Sequence, residues 1–185
     1  MNGRLTIPCP AKVNLALSVG GPTPDGYHPI ASWMVAIDLA DALTLEPVDG
    51  ESSYDIAWAD DALQPSPIDW PLTSDLIVKA HRLVETEVGR PLPVRATLRK
   101  RLPVGAGLAG GSTDGAAMFK GLRALFDLDL TDQTLIDLSM QIGSDLAFFF
   151  SSGSAIVTGR GEGLRDAVIA QPIHLCLILP EFGCS

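Results

Sequence analysis

Residues 102–113 read LPVGAGLAGGST, and the rest of the chain is best understood outward from them. Glycines at 105, 107, 110 and 111 allow positive φ and a close approach of backbone to ligand. Ser112 and Thr113 then open a helix rich in alanine. Free N–H groups at a helix start, with the macrodipole behind them, favour an anion. The stretch therefore reads as a phosphate-cradling loop made of Pro103, Val104, Gly105, Ala106, Gly107, Leu108, Ala109, Gly110, Gly111, Ser112 and Thr113. Arg95, Arg99, Lys100 and Arg101 lie just upstream and are expected to add local positive potential. A Walker loop would end in Gly-Lys-Ser/Thr, and this one ends in Gly-Gly-Ser-Thr. A dinucleotide fingerprint should follow the first strand of a βαβ unit, and this loop lies past residue 100. Taken alone, the stretch is also compatible with a flexible connector whose glycines serve packing.

Outward from the loop, residues 94–101 read as a strand with alternating basic residues. Residues 74–89 read as a helix, with Ser74 or Asp75 as cap, an apolar face of Leu76, Ile77, Ala80, Leu83 and Val84, and Gly89 as stop. Helices are expected over 113–125 and, capped by Thr131, to about 141. Residues 4–18 predict two short strands around a Cys9–Pro10–Ala11 joint. Further strands are expected at 33–38, 41–46, 54–58, 154–158 and 173–179. Residues 47–71 read as a Pro-, Asp- and Ser-rich insertion, in which Trp58 and Trp70 are expected to pack.

The bulk composition narrows the function classes. Among 185 residues, 46% are apolar and 19% charged, which suits a globular domain. A net charge of −9 argues against sequence-independent nucleic-acid binding, which needs Lys and Arg to neutralise phosphates. Three cysteines with no metal-site spacing read as reduced thiols of a cytoplasmic protein. No apolar run is long enough for a membrane span, and no secretory signal is expected.

PAKVNLALSV at 10–19, together with the glycine loop, resembles the GHMP class of small-molecule kinases. DGYH at 25–28, SDLIVKAHRL at 74–83, IGSDLAFFF at 142–150 and TGRGE at 158–162 occur in that family's order. They narrow the resemblance to the branch that phosphorylates a cytidine diphosphate-linked methylerythritol on the way to isoprenoids. The resemblance implies an α+β fold of the GHMP-kinase N-terminal type, a sheet backed by helices with a left-handed crossover. It also implies ATP, Mg2+ and a small-molecule substrate held between two domains. Residues 1–180 are expected to be the ATP-binding domain and 181–185 the start of a second domain that the sequence does not contain.

The resemblance also gives roles to single residues. Asp145 becomes the base that takes the substrate hydroxyl proton, where its bare context suggests a turn or cap aspartate. Lys12 becomes its partner and a stabiliser of charge on the transferred phosphoryl group, where its strand context suggests a lysine reaching to water. Asn14, two residues on, shares a strand face with Lys12 and is a candidate partner of the polyol. Tyr27 and His28 become the cytosine site, by stacking and hydrogen bonding; a surface tyrosine and a solvated histidine are the plainer reading. Asp75 is either a helix cap or a contact to adenine, and Ser112 is a candidate metal ligand. A non-catalytic nucleotide-binding domain, or a GHMP kinase for another alcohol, stays open beside this reading.

Overall fold

The computed structural model describes residues 3–62 and 64–180. In chain order, β1 is Leu5–Val19, β2 Ile30–Pro47 and β3 Ser53–Trp58; α1 is Leu76–Val88, β4 Val94–Lys100, α2 Gly110–Leu125 and α3 Asp132–Ser139; β5 Ser154–Gly159 and β6 Gly163–Asp166 follow. A 3-10 turn at Leu72–Ser74 precedes α1, and another at Ser144–Phe150 follows α3. The architecture is the expected α+β one, a mixed sheet backed by helices.

β2 is the spine of the sheet. It pairs antiparallel with β1 along its length, with β4 at residues 42–47 and with β5 at residues 30–35. β3 joins β4 in parallel across α1, and β6 closes the other side against β5. The two strands expected over 4–18 are one strand, and so are those at 33–38 and 41–46. The proline joint and the bend survive as a bulge. Ile37, Asp38 and Leu39 stand opposite Ala11 alone, between the Pro10–Ala40 and Lys12–Ala36 pairs. An unpaired N–H costs free energy only when nothing else accepts it. Lys12 N–H finds Leu108 O of the glycine loop at 3.0 Å, so the bulge that interrupts the ladder also seats the loop.

Asp75 caps α1, its carboxylate accepting from Ile77 N–H at 3.0 Å, and Gly89 closes it at φ 68°. α2 starts at Gly110, three residues before the expected Thr113, because Ala109 already takes the turn at φ 57°. α2 lies directly on the sheet: a Cβ at Gly121 would sit 2.5 Å from Leu45 Cδ1 and 2.7 Å from Ile7 Cδ1. The main core fills the space between sheet and helices, around Leu43, Leu45, Val84, Met118, Phe119 and Leu122. A second cluster of Met34, Phe148, Phe149, Ala155 and Val157 supports the turn after α3.

The expected strand at 173–179 is absent: no described strand accepts it, and Ile173, Leu175, Leu177 and Ile178 are exposed. Apolar alternation alone does not make a strand without a partner for its N–H and C=O groups. β6, four residues with little periodicity of their own, closes a glycine-rich hairpin with β5. Residues 181–185, where a second domain was expected to begin, lie outside the described residues.

Candidate active site

A cleft of about 500 Å³ opens over the glycine loop. Every expected loop residue from Pro103 to Ser112 lines it, with Lys12, Asp145, Ser74, Asp75 and Leu76. Thr113 is the exception: it is buried within α2 and does not line the cleft. Gly105 and Gly107 sit at φ 74° and 73°, the left-handed region that their lack of Cβ permits. Ala109, in the same region, caps α2 without a side-chain bond, so the N–H groups of the first turn keep their capacity for an anion. Beneath the loop, Ala11, Leu102 and Leu108 form a small core with Val13, Ile37 and Leu39, the last two from the β2 bulge.

Lys12 and Asp145, 133 positions apart in sequence, meet here with Nζ 3.6 Å from Oδ2. Lys12 is almost wholly buried, and Asp145 is about one-third exposed at the first turn of Ser144–Phe150. Lys12 Nζ also donates to Asn14 Oδ1 at 2.9 Å, and Asn14 Nδ2 donates to Ser32 Oγ at 2.6 Å. The ammonium is thus held from two sides and aimed at the cleft. Gly161, at φ 115°, packs on the backbone oxygen of Ser144; any side chain would collide there. The TGRGE stretch therefore supports the segment that presents Asp145.

The basic residues beside the loop do not form the expected phosphate cluster. Arg95 pairs with Glu46 at 3.3 Å, Arg99 with Asp55 at 2.7 Å and Arg101 with Asp61 at 2.8 Å. The neighbouring strands β2 and β3, and the turn after β3, supply carboxylates that these side chains meet first. Lys100 turns inward, 2.7 Å from both Asp41 Oδ2 and Asp114 Oδ2. All three are buried. Burial works against the charge on Lys100, yet Asp114 and Asp41 outweigh it and hold its pKa above the ordinary lysine value. Burial pushes Asp114 up to about 7, with Asp41 adding to it, against the pull of Lys100. Asp41 and Asp114 are nearly silent in the sequence. Their only signals are a carboxylate in the apolar strand LADALTLE and another in the Gly- and Ala-rich start of α2.

Trp70 is also more than packing. It lines the cleft and donates from Nε1 to Asp75 Oδ2 at 2.9 Å, so Asp75 is at once helix cap and cleft wall. Tyr27 and His28 are not among the residues lining this cleft; they lie in the turn joining β1 to β2. Arg160 stacks on Tyr27, 4.4 Å from the ring centre, and pairs with Asp25. The hydrogen bond from Thr23, then Arg160, holds the Asp25 carboxyl down to about 2. His28 Nδ1 lies 2.9 Å from Gly20 O. A carbonyl only accepts, so Nδ1 carries a proton, and in that tautomer of the imidazole Nε2 is an acceptor.

Cys9 and Cys176 are unpaired. Among the described residues no helix is long and apolar enough to cross a membrane, and no three His, Cys, Asp or Glu side chains gather as a metal site.

A bulged strand delivering a lysine, an uncapped glycine-rich helix start and an aspartate facing both define a class. The sequence profile of the GHMP kinases N terminal domain matches residues 75–163 of this chain. It is 40% identical, over 98% of its length, to 4-diphosphocytidyl-2-C-methyl-D-erythritol kinase of Bacillus pumilus (strain SAFR-032) and covers 61% of that protein. It is 35% identical to the protein of the same name from Carboxydothermus hydrogenoformans (strain ATCC BAA-161 / DSM 6008 / Z-2901), over 95% of this chain and 58% of that one. A crystal structure of 4-(cytidine 5'-diphospho)-2C-methyl-D-erythritol kinase is similar with a TM-score of 0.71 at 34% identity, over 89% of this chain and 56% of that chain. The chain thus spans about three-fifths of the length of the curated relatives it matches.

Proposed function

We propose that the protein containing this chain transfers the γ-phosphoryl group of ATP to the 2-hydroxyl of 4-diphosphocytidyl-2-C-methyl-D-erythritol, a step in the non-mevalonate route to isoprenoids. This chain supplies the ATP side of the cleft, and a further domain completes it. The observation that carries the reading is the meeting of Lys12 and Asp145 at 3.6 Å on the wall of a glycine-loop cleft. It gains weight from 40% identity to an enzyme of that activity by name.

The phosphates of ATP lie on the loop backbone and the free N–H groups of α2. Trp70, Asp75 and Leu76 wall the nucleoside end. The substrate hydroxyl oxygen attacks the γ-phosphorus, the bond to the β–γ bridging oxygen breaks, and ADP leaves. Such transfers pass through a loose transition state, so positioning and charge stabilisation do most of the work. Asp145 orients the hydroxyl and takes its proton late. Lys12 pairs with the Asp145 carboxylate and meets the charge on the transferred group. Asn14, bonded to Lys12, faces the polyol. Mg2+ usually binds phosphates, water and one or two protein groups, and Ser112, at the start of α2 on the cleft wall, would be a donor to it. When bound it neutralises phosphate charge.

At the other end Tyr27 offers one ring face to cytosine, Arg160 covering the other. His28 Nε2, as an acceptor, suits the exocyclic amino group of cytosine and disfavours the carbonyl of uracil. The test is ADP release by the intact protein with ATP and a panel of alcohols: the cytidylyl substrate, its uridylyl analogue, mevalonate and homoserine. Turnover confined to the cytidylyl substrate is expected. Turnover of another alcohol with none of that substrate overturns the reading.

A further inference from the structure

The glycine loop is held at both ends by one buried group of charges. At its start, Asp41 Oδ1 accepts from the N–H groups of Arg101 and, at 2.8 Å, Leu102. Asp41 Oδ2 accepts from Lys100 Nζ at 2.7 Å, and the same ammonium donates at 2.7 Å to Asp114 Oδ2 in the second turn of α2. The two ends also touch: a Cβ at Gly110 would stand 3.2 Å from Leu102 Cβ and 3.8 Å from Asp41 Oδ2. Between these anchors the tip, residues 104–107, is exposed. The loop is a closed Ω whose ends meet over Asp41 and Lys100.

We propose that Lys100, with Asp41 and Asp114, is a positioning group that fixes the spacing between loop start and helix start and so preorganises the backbone N–H groups that receive the nucleotide phosphates. This rests on the reading of the loop as the ATP site. The arrangement is costly as a device for stability. Two carboxylates share one ammonium out of water, and Asp114 Oδ1 is left buried without a hydrogen-bond partner. Buried ion groups of this kind are often no more stabilising than apolar replacements. What they supply is geometry, since an ammonium bonded to two fixed oxygens permits little sliding of one element past the other. Lys100 and Asp114 also line the cleft, so a shift in either moves its wall. An ungathered loop would have to be ordered at each binding event, which lowers affinity without altering the chemical step.

The experiment uses the intact protein and the variant Lys100→Met/Asp114→Asn, which cuts the link to α2 and leaves Asp41 its two backbone N–H donors. Expected are a KM for ATP raised roughly tenfold, the scale of one charge-assisted hydrogen bond, and kcat within about twofold. Amide hydrogen exchange is expected to quicken over residues 102–113 while the exchange of β2 and α1 stays as it was. Unchanged KM and loop exchange in a folded variant overturn the proposal. Asp41→Asn, read the same way, serves if the double variant does not fold. Direct ATP binding to the wild type separates the two layers: a wild type that does not bind ATP sinks the loop reading itself, whereas normal binding by both proteins sinks only the role of Lys100.

Discussion

The proposed phosphate end and the proposed base end of this domain are built on opposite plans. The glycine loop presents backbone, held from beneath by buried side chains: Leu102, Leu108, Lys100, Asp41 and Asp114. The β1–β2 turn presents side chains, Tyr27 and His28, held by an exposed ion pair of Asp25 with Arg160. Backbone N–H groups have a fixed geometry once the chain is fixed, so the phosphate end needs a rigid base. A stacking ring tolerates looser support, because any base offers a flat face. The two ends also respond oppositely to pH. Asp114 is pushed up to about 7 by burial, and Asp25 is held down to about 2 by its hydrogen bond from Thr23.

The largest effect should come from chemistry at the phosphate end. Asp145→Ala in the intact protein is expected to lower kcat roughly 100- to 10,000-fold, with ATP binding retained. Near-normal turnover would remove Asp145 from the proton path and leave the cleft a binding site only.

A pH titration of stability comes next. The folded protein binds the Asp114 proton more tightly than the unfolded chain, whose carboxyl keeps its ordinary value of 3.8. The stabilisation is full below that value and is lost as pH rises toward about 7. Urea unfolding is expected to show wild type losing stability across this window relative to Asp114→Asn, by on the order of a few kcal/mol. Parallel curves for the two proteins would mean that Asp114 is ionised throughout.

Tyr27→Ala sharpens the contrast from the other side. It should raise KM for the cytidylyl substrate about tenfold, the scale of one aromatic–base stack, and leave KM for ATP unaffected. Equal changes in both constants would mean that the turn supports the whole domain. The smallest effect belongs to Asp25→Asn. The pair it breaks is exposed, so thermal stability at neutral pH should barely move. Any contribution from Asp25 is present above pH 3.8 and lost as pH falls through about 2, the reverse of Asp114. A large fall in melting temperature would show that the turn is anchored through this pair.

Much of the phosphate end was legible because its signal is local. Four glycines in seven residues and an alanine-rich continuation require only neighbouring positions to be understood. The start of α2 was misplaced by three residues because Ala109, not a glycine, makes the left-handed turn into it. The basic residues were misjudged for the opposite reason. Arg95, Arg99 and Arg101 looked free along the sequence, and their carboxylate partners stand on other segments. Trp70 looked like filler in an insertion until its bond to Asp75 turned it toward the cleft. The strand expected at 173–179 shows the limit of alternation, which marks a face without saying what covers it.

The sequence by itself determined the glycine loop, the cap and stop of α1 at Asp75 and Gly89, and an order of motifs that resembles the GHMP kinases. These rest on φ preferences and hydrogen bonds between residues close in the chain. Only the tertiary structure decided how closely Lys12 approaches Asp145, that a bulge in β2 seats the loop, and that Lys100 spends its charge beneath the loop. Each of those is a contact across scores of residues. A charge pairs with whatever the fold brings within a few ångströms, and no local pattern states which residue that will be.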